Sequence, residues 1–397
     1  MYAIGVSACE KDPEVSVFLK EVYLDNSATT KVCDEAAKKV LELMVEKYGN
    51  PSSLHQKGFE AEQEIQKARA ALANALSCEE REIIFTSGGT EANNLAIFGA
   101  AAALRRRGGR IVTTAIEHSS VLESCRQLEK EGFEVVYLTP RGDGTVSEEQ
   151  LRNAVTADTI LVSVMKINNE TGAILPVECI KRIVTAKKAP ALVHVDAVQA
   201  FGKLSVKPQR MGADLLTLSA HKIHGPKGVG ALYLQKNARI LPRAFGGEQE
   251  RKLRPGTESA ALIAGFGAAV EALPDLAKEY EEIRALNTYL REKLRGLDGV
   301  VINSDENALP YLLNFSVPGV RSETMLHHLA ADRVFVSSGS ACAKGRQSHV
   351  LAAMGLEPKR VVSAIRVSFG RYNTKDDVDA LLSSLQTGIN SLARARS

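Results

Sequence analysis

The 397-residue chain has no large excess of charge of either sign. Its 50 basic and 47 acidic residues leave a formal net charge of +3. That balance gives no footing for direct nucleic-acid binding or for a membrane surface. Long hydrophobic runs are also missing. The longest clean apolar stretch, 260–270, is about half of the roughly 20 residues that a membrane-spanning helix needs. The first twenty residues carry Glu10, Lys11, Asp12 and Glu14. They have no basic start followed by an apolar stretch, so they do not read as a secretory signal. Residues 1–21 are expected to be an N-terminal extension, and the cytoplasm is the default location. Six cysteines stand at 9, 33, 78, 125, 179 and 342, with no CxxC and no regular spacing. This builds neither a disulfide framework nor a zinc site, so no metal is expected. Free thiols in a reducing compartment fit better. There is no P-loop lysine and no GxGxxG, which disfavours ATP and NAD.

What is present is ordinary globular material, 45% hydrophobic and 24% charged. At roughly 150 residues per domain, the length allows two or three domains. Apolar runs at 82–86, 110–114, 134–138, 159–165, 191–196, 214–219 and 230–234 read as strands. Helical stretches at 60–75, 91–106 and 121–130 lie between them. This alternation predicts an α/β fold with a large, mostly parallel, seven-stranded sheet covered on both faces. Past residue 260 the pattern changes. A long charged helix over 273–297 precedes short strands at 311–315, 333–336 and 364–369. A smaller α+β C-terminal domain is expected over 263–397, after a large domain over 22–262.

In such sheets ligands bind at the carboxyl ends of the strands, so the loops after strands carry the functional reading. Thr86-Ser87-Gly88-Gly89-Thr90-Glu91 follows a strand and opens a helix, which suits an anion at a helix N-terminus. A plain glycine turn with an N-cap explains it equally well. Glu117-His118, Asn168-Asn169-Glu170 and Val195-Asp196-Ala197-Val198-Gln199 follow three further strands. A carboxylate at a strand end needs a partner, and Asp196 could find one in a metal, an arginine or a protonated ring nitrogen. Ser219-Ala220-His221-Lys222 runs out of another strand. Lys222 there could form a Schiff base, with Lys227 as the competing lysine. Together, a phosphate turn, a strand-end aspartate and a lysine one strand later are what pyridoxal phosphate requires.

The motifs go further. Tyr23-Leu24-Asp25-Asn26-Ser27-Ala28-Thr29-Thr30, Gly49-Asn50-Pro51-Ser52-Ser53-Leu54-His55, the run at 87–94, Glu117-His118 and Asn168-Asn169-Glu170 resemble cysteine desulfurases of the NifS/IscS type, in the class-V aminotransferase family. So do His194-Val195-Asp196-Ala197, Ser219-Ala220-His221-Lys222, Gly225-Pro226-Lys227-Gly228, Arg254-Pro255-Gly256-Thr257 and Ser337-Ser338-Gly339-Ser340-Ala341-Cys342. The resemblance covers roughly residues 22 to 390. It implies a type I pyridoxal-phosphate fold and a homodimer. It also implies a reaction that converts L-cysteine to L-alanine and leaves a persulfide on Cys342. Lys222 would be the Schiff-base lysine and Asp196 the partner of the pyridine nitrogen. Gln199 and Asn169 would contact the ring's phenolate oxygen. His118 would stack on the ring and act as an acid/base. Gly89, Thr90, Ser219 and His221 would hold the phosphate. Thr257 would reach the neighbouring subunit's phosphate, and Arg366 would bind the substrate carboxylate.

The Cys342 loop has small residues on one side and Lys344 and Arg346 on the other, which favours a thiolate. Cys125 and Cys179 are expected to be small core hydrophobes; Cys9, Cys33 and Cys78 have no assigned role. A selenocysteine lyase or another class-V pyridoxal enzyme would share the lysine and aspartate. A non-enzymatic sulfur-relay scaffold fits the intact Lys222, Asp196 and Cys342 poorly. Compared with the IscS type, the segment 343–355 is shorter, and the chain stops at Ser397 soon after its last helix. Both weigh against an iron–sulfur scaffold as the acceptor protein and toward tRNA thiolation or cofactor synthesis.

Overall fold

The computed structural model describes residues 21–339 and 347–392. The chain enters through a two-residue strand, β1 (Val22–Tyr23), and two helices, α1 (Asp34–Val45) and α2 (Gln56–Leu76). Seven strands then build the main sheet: β2 (Ile83–Thr86), β3 (Arg110–Thr114), β4 (Glu134–Leu138), β5 (Thr159–Met165), β6 (Leu192–Asp196), β7 (Leu215–Ser219) and β8 (Gly230–Leu234). Their order is β2-β8-β7-β6-β5-β3-β4. Only β8 runs against its neighbours; the other pairings are parallel. The expected mostly parallel seven-stranded sheet is therefore what forms, with strand bounds within a residue of those read from the sequence.

Alternation along each strand explains why both faces are covered. Ile84, Ile111, Leu161, Leu215 and Leu232 face one apolar layer, with α3 (Gly89–Leu104) and α4 (Ser119–Lys130). Their neighbours Phe85, Val112, Val162, Leu216 and Tyr233 face the other layer, with α2 and the helix Ala260–Glu271. The Ala260–Glu271 helix is the long apolar run of the sequence, and most of it is buried. Among the described residues, no single helix is long and apolar enough to cross a membrane. The charged helix expected over 273–297 starts later, as Leu276–Arg295. The reason is local: Asp275 caps it, accepting from the backbone N–H of Ala277 and Lys278.

A second, antiparallel sheet holds β9 (Val301–Ile302), β10 (Leu312–Ser316) and β12 (Ala364–Ser368), in the order β12-β10-β9. The short β1 pairs in parallel with β11 (Val334–Phe335). The next residues continue that attachment, since Asn26 N–H donates to Ser368 O at 3.2 Å. The segment that opens the chain is thus held by the C-terminal strands, and the turn after it lies over the carboxyl edge of the main sheet.

Close approach between helices leaves no room for side chains at one point. A Cβ on Gly267 would lie 2.6 Å from Ala68 Cα. Gly267→Ala should lower stability by about 1–3 kcal/mol through overpacking, read as a shift in the denaturant midpoint at constant slope. An unchanged midpoint would mean that α2 and the Ala260–Glu271 helix do not pack this closely.

Candidate active site

β2, β3, β5, β6 and β7 all point their carboxyl ends to the same edge, and a cavity of about 210 Å³ opens there. Gly89, Thr90, His118, Asn169, Asp196, Gln199, Ser219, His221, Lys222 and Arg366 all line it. Residues spread over nearly 280 positions of sequence, from 89 to 366, thus meet at one place. Thr257 is exposed and does not line this cavity. Cys342 lies outside the described residues. The competing lysine, Lys227, sits exposed in its turn and does not line the cavity either.

One end of the cavity is built by α3. The helix begins two residues earlier than its sequence pattern suggests, with Gly88 as N-cap at φ +152°. Gly89 and Thr90 therefore lie in the first turn, where backbone N–H groups have no intrahelical acceptor. Bulk is excluded, because a Cβ on Gly89 would stand 3.0 Å from Val198 Cγ2. The Ser219 hydroxyl is buried and has no hydrogen-bond partner. An orphaned hydroxyl beside a helix N-terminus fits an anionic group bound there. His221 is half-buried, and burial, with Lys222 second, pulls its pKa down to about 4, so it meets that group as a neutral imidazole.

Asp196 ends β6 and is only 6% exposed. Its Oδ1 accepts from Val198 N–H at 3.0 Å and its Oδ2 from Asn93 Nδ2 at 2.8 Å. Asn93 also donates to Ser120 Oγ at 2.9 Å, and Ser120 Oγ lies 2.8 Å from His118 Nδ1. Ser120 N–H donates to the same ring nitrogen at 3.2 Å. A backbone N–H can only donate, so Nδ1 is an acceptor and the ring proton of neutral His118 sits on Nε2. Burial lowers the His118 pKa, with Lys222 and His349 adding and Asp196 opposing. Asn93 and Ser120 carried no role in the sequence reading. Asn93 stands about one turn after the glycine loop beside a second asparagine, Asn94, so the sequence did not single it out.

Lys222 leaves β7 through a single 3-10 turn, Ala220–Lys222. Its Nζ donates to Ala28 O at 2.7 Å and to Ser27 O, so the segment after β1 forms a wall of the cavity. Arg366, on β12, is 1% exposed. It donates from Nη2 to Asp25 Oδ1 at 2.7 Å and from Nη1 to Asn169 O at 2.9 Å. Its Nε is buried without a partner, which leaves donor capacity for an anion. Phosphate donors, a strand-end carboxylate and a lysine around one cavity fit pyridoxal phosphate as a bound group.

Of the other thiols, Cys125 is fully buried as expected, while Cys179 is only partly so. Neither these two nor Cys33 and Cys78 line the cavity. Glu117 is fully buried beneath the site and accepts from Thr114 Oγ1 at 2.7 Å and from Met165 N–H at 3.0 Å. Burial, reinforced by Asp196, raises its pKa to about 8. In the unfolded chain this carboxyl ionises near pH 4.5, so from there to about pH 8 the folded state binds the extra proton. Its contribution therefore favours folding at low pH and is lost as pH rises through about 8. Glu117→Gln removes this titration. Wild type should lose stability relative to the variant between about pH 5 and 8, measured by denaturant melts. Parallel pH curves would show that Glu117 is ionised in the fold.

The sequence matches the aminotransferase class-V family over residues 22–381. A cysteine desulfurase IscS of Dictyoglomus turgidum is 43% identical over 378 residues, 94% of this chain and 95% of that protein. A solved NifS-like protein superposes with a TM-score of 0.89 at 39% identity, covering 94% of this chain and 100% of that one. A structure of SspA in complex with cysteine gives 0.79 at 34% identity, covering 89% and 100%. Matches of this length and level mean that the chain belongs to the class-V aminotransferase family, among its cysteine desulfurases.

Proposed function

We infer that this chain is a pyridoxal-phosphate-dependent cysteine desulfurase that converts L-cysteine to L-alanine and passes the sulfur on as a persulfide. The observation that carries this reading is the cavity at the strand ends, where a lysine, a carboxylate, a neutral histidine, phosphate donors and a buried arginine converge. Each side chain has a task there. First-turn N–H groups of α3, with Thr90, Ser219 and His221, hold the phosphate. Asp196, fixed by Asn93 and Val198 N–H, would pair with the pyridine nitrogen and keep it protonated. Gln199 and Asn169 would contact the ring's phenolate oxygen, and Lys222 Nζ would hold the cofactor covalently. When bound, pyridoxal phosphate supplies an electron sink that acidifies the substrate's α-carbon.

Arg366, whose Nε has no protein partner, would orient the substrate through a charge-assisted hydrogen bond to its carboxylate. Lys222 would be the base for the α-proton, and His118 would share proton transfer. The Cys342 thiolate attacks the substrate sulfur. A sulfur–sulfur bond forms, the substrate carbon–sulfur bond breaks, and its electron pair goes to the carbon that becomes the alanine methyl group. Cys342 keeps the sulfur as a persulfide.

The domain reading assigns the cofactor to the part built on the main sheet and the thiol to the C-terminal part. A homodimer is supported by large exposed apolar side chains: Leu41, Met44 and Val45 on α1, with Tyr48, Leu54 and Phe245 elsewhere. Exposed Thr257 suits a reach to the partner's phosphate. The sulfur acceptor is a protein, an iron–sulfur scaffold or a thiolation enzyme.

Purified protein should release alanine and sulfide from cysteine in the presence of a reductant. Cys342→Ala should cut sulfide release by about a thousandfold or more, with the cofactor still bound. Full-rate release would move the nucleophile to another thiol. Lys222→Ala should lose the visible band of the lysine-bound cofactor; a retained band would place the covalent link elsewhere. Transfer of sulfur from loaded Cys342 to candidate acceptor proteins identifies the pathway.

A further inference from the structure

Gln199 lines the cavity, and its side-chain amide has two buried protein partners. Lys203 Nζ donates to Oε1 at 3.0 Å and to the Gln199 backbone oxygen at 3.2 Å. Gln199 Nε2 donates to Ser27 O at 2.9 Å. An ammonium has only donors, and a peptide oxygen only accepts. Both partners therefore demand the same amide orientation. Turning the amide over would set N–H against ammonium and oxygen against oxygen. Ser27 uses one of the two Nε2 hydrogens, and the other is left for a ligand.

We propose that Lys203 is a positioning residue that locks the Gln199 amide so that it offers the bound cofactor a donor and never an acceptor. The inference rests on the assignment of pyridoxal phosphate to this cavity. It explains an otherwise costly choice, because Lys203 is 6% exposed and a buried ammonium is costly to desolvate. A methionine would fill similar volume without a charge to desolvate. Lys203 also lies 5.9 Å from the Tyr311 ring centroid, and Tyr311 donates to Glu279 Oε2 at 3.0 Å. Burial lowers Lys203 to about 8, with Glu279 opposing and Arg366 adding. At neutral pH most of the population therefore keeps the ammonium and its donors.

A locked donor stabilises negative charge on the ring's phenolate oxygen and so lowers the proton affinity of the adjacent Schiff-base nitrogen. Without Lys203 the amide is restrained only through Ser27 O, its donor is held less firmly against that anion, and the affinity rises. The test is a pH titration of the visible spectrum of the cofactor-loaded protein. Lys203→Met should raise the Schiff-base pKa by about one unit, a tenfold change in proton affinity, at unchanged cofactor content. Lys203→Gln keeps a hydrogen bond to Gln199 but can donate or accept, and should give part of the shift. It carries the test if the methionine variant does not fold. A pKa indistinguishable from wild type in a fully loaded variant would overturn the proposal. A wild type with no Schiff-base band would overturn the cofactor assignment itself, and this inference with it.

Discussion

The site depends on one buried charge. Asp196 ends a strand whose both faces are covered, and a carboxylate in that position is costly unless its oxygens are engaged. Val198 N–H and Asn93 engage them. From there the field of Asp196 reaches its neighbours: it favours the charged form of His118 and His194 and disfavours ionisation of Glu117. In all three cases burial is the larger cause and pushes toward neutrality. Glu117, His118 and His194 are thereby kept neutral around Asp196. A pyridinium needs such a counter-charge, whereas a second ionised carboxylate nearby would dilute it.

A second constraint joins the two sheets. Arg366 sits on β12, yet its guanidinium is held by Asp25 from the chain's opening segment and by Asn169 O from the loop after β5. A fully buried arginine with one ion pair and one carbonyl is expensive to assemble. Here it ties three separate stretches of chain around the cavity. The same opening segment accepts hydrogen bonds from Lys222 and Gln199 through Ser27 O. This segment was legible in the sequence only as a motif, because its contacts run to residues about 170 to 340 positions away, beyond any local pattern.

The strands and the strand-end loops were readable because period-two alternation and a terminal polar residue are local signals. His118, Asn169, Asp196, Ser219 and Lys222 each followed a run that pointed to them. Arg366 was different. It lies inside a strand, where local pattern suggests only an edge or exposed position, and only the family motif singled it out. Helix starts moved for physical reasons. Gly88 caps α3 before its apolar repeat begins, and Asp275 delays the helix at Leu276. Asn93, Ser120 and Lys203 went unread because their roles are relational. Each matters through the neighbour it fixes, and sequence spacing does not display that neighbour.

Thiol chemistry adds a last constraint. A protein that carries sulfur as a persulfide must not share it with its own cysteines, since exchange runs through thiolates. Cys33, Cys78, Cys125 and Cys179 are all pushed up in pKa, with burial the leading cause, and Cys78 and Cys125 reach about 12. They stay protonated at neutral pH and are poor nucleophiles. At Cys78 an acidic neighbour, Glu82, strengthens the effect. The Cys342 segment carries the opposite charge, Lys344 and Arg346. Burial keeps these four thiols silent, whereas the proposed nucleophile stands in a basic stretch of sequence.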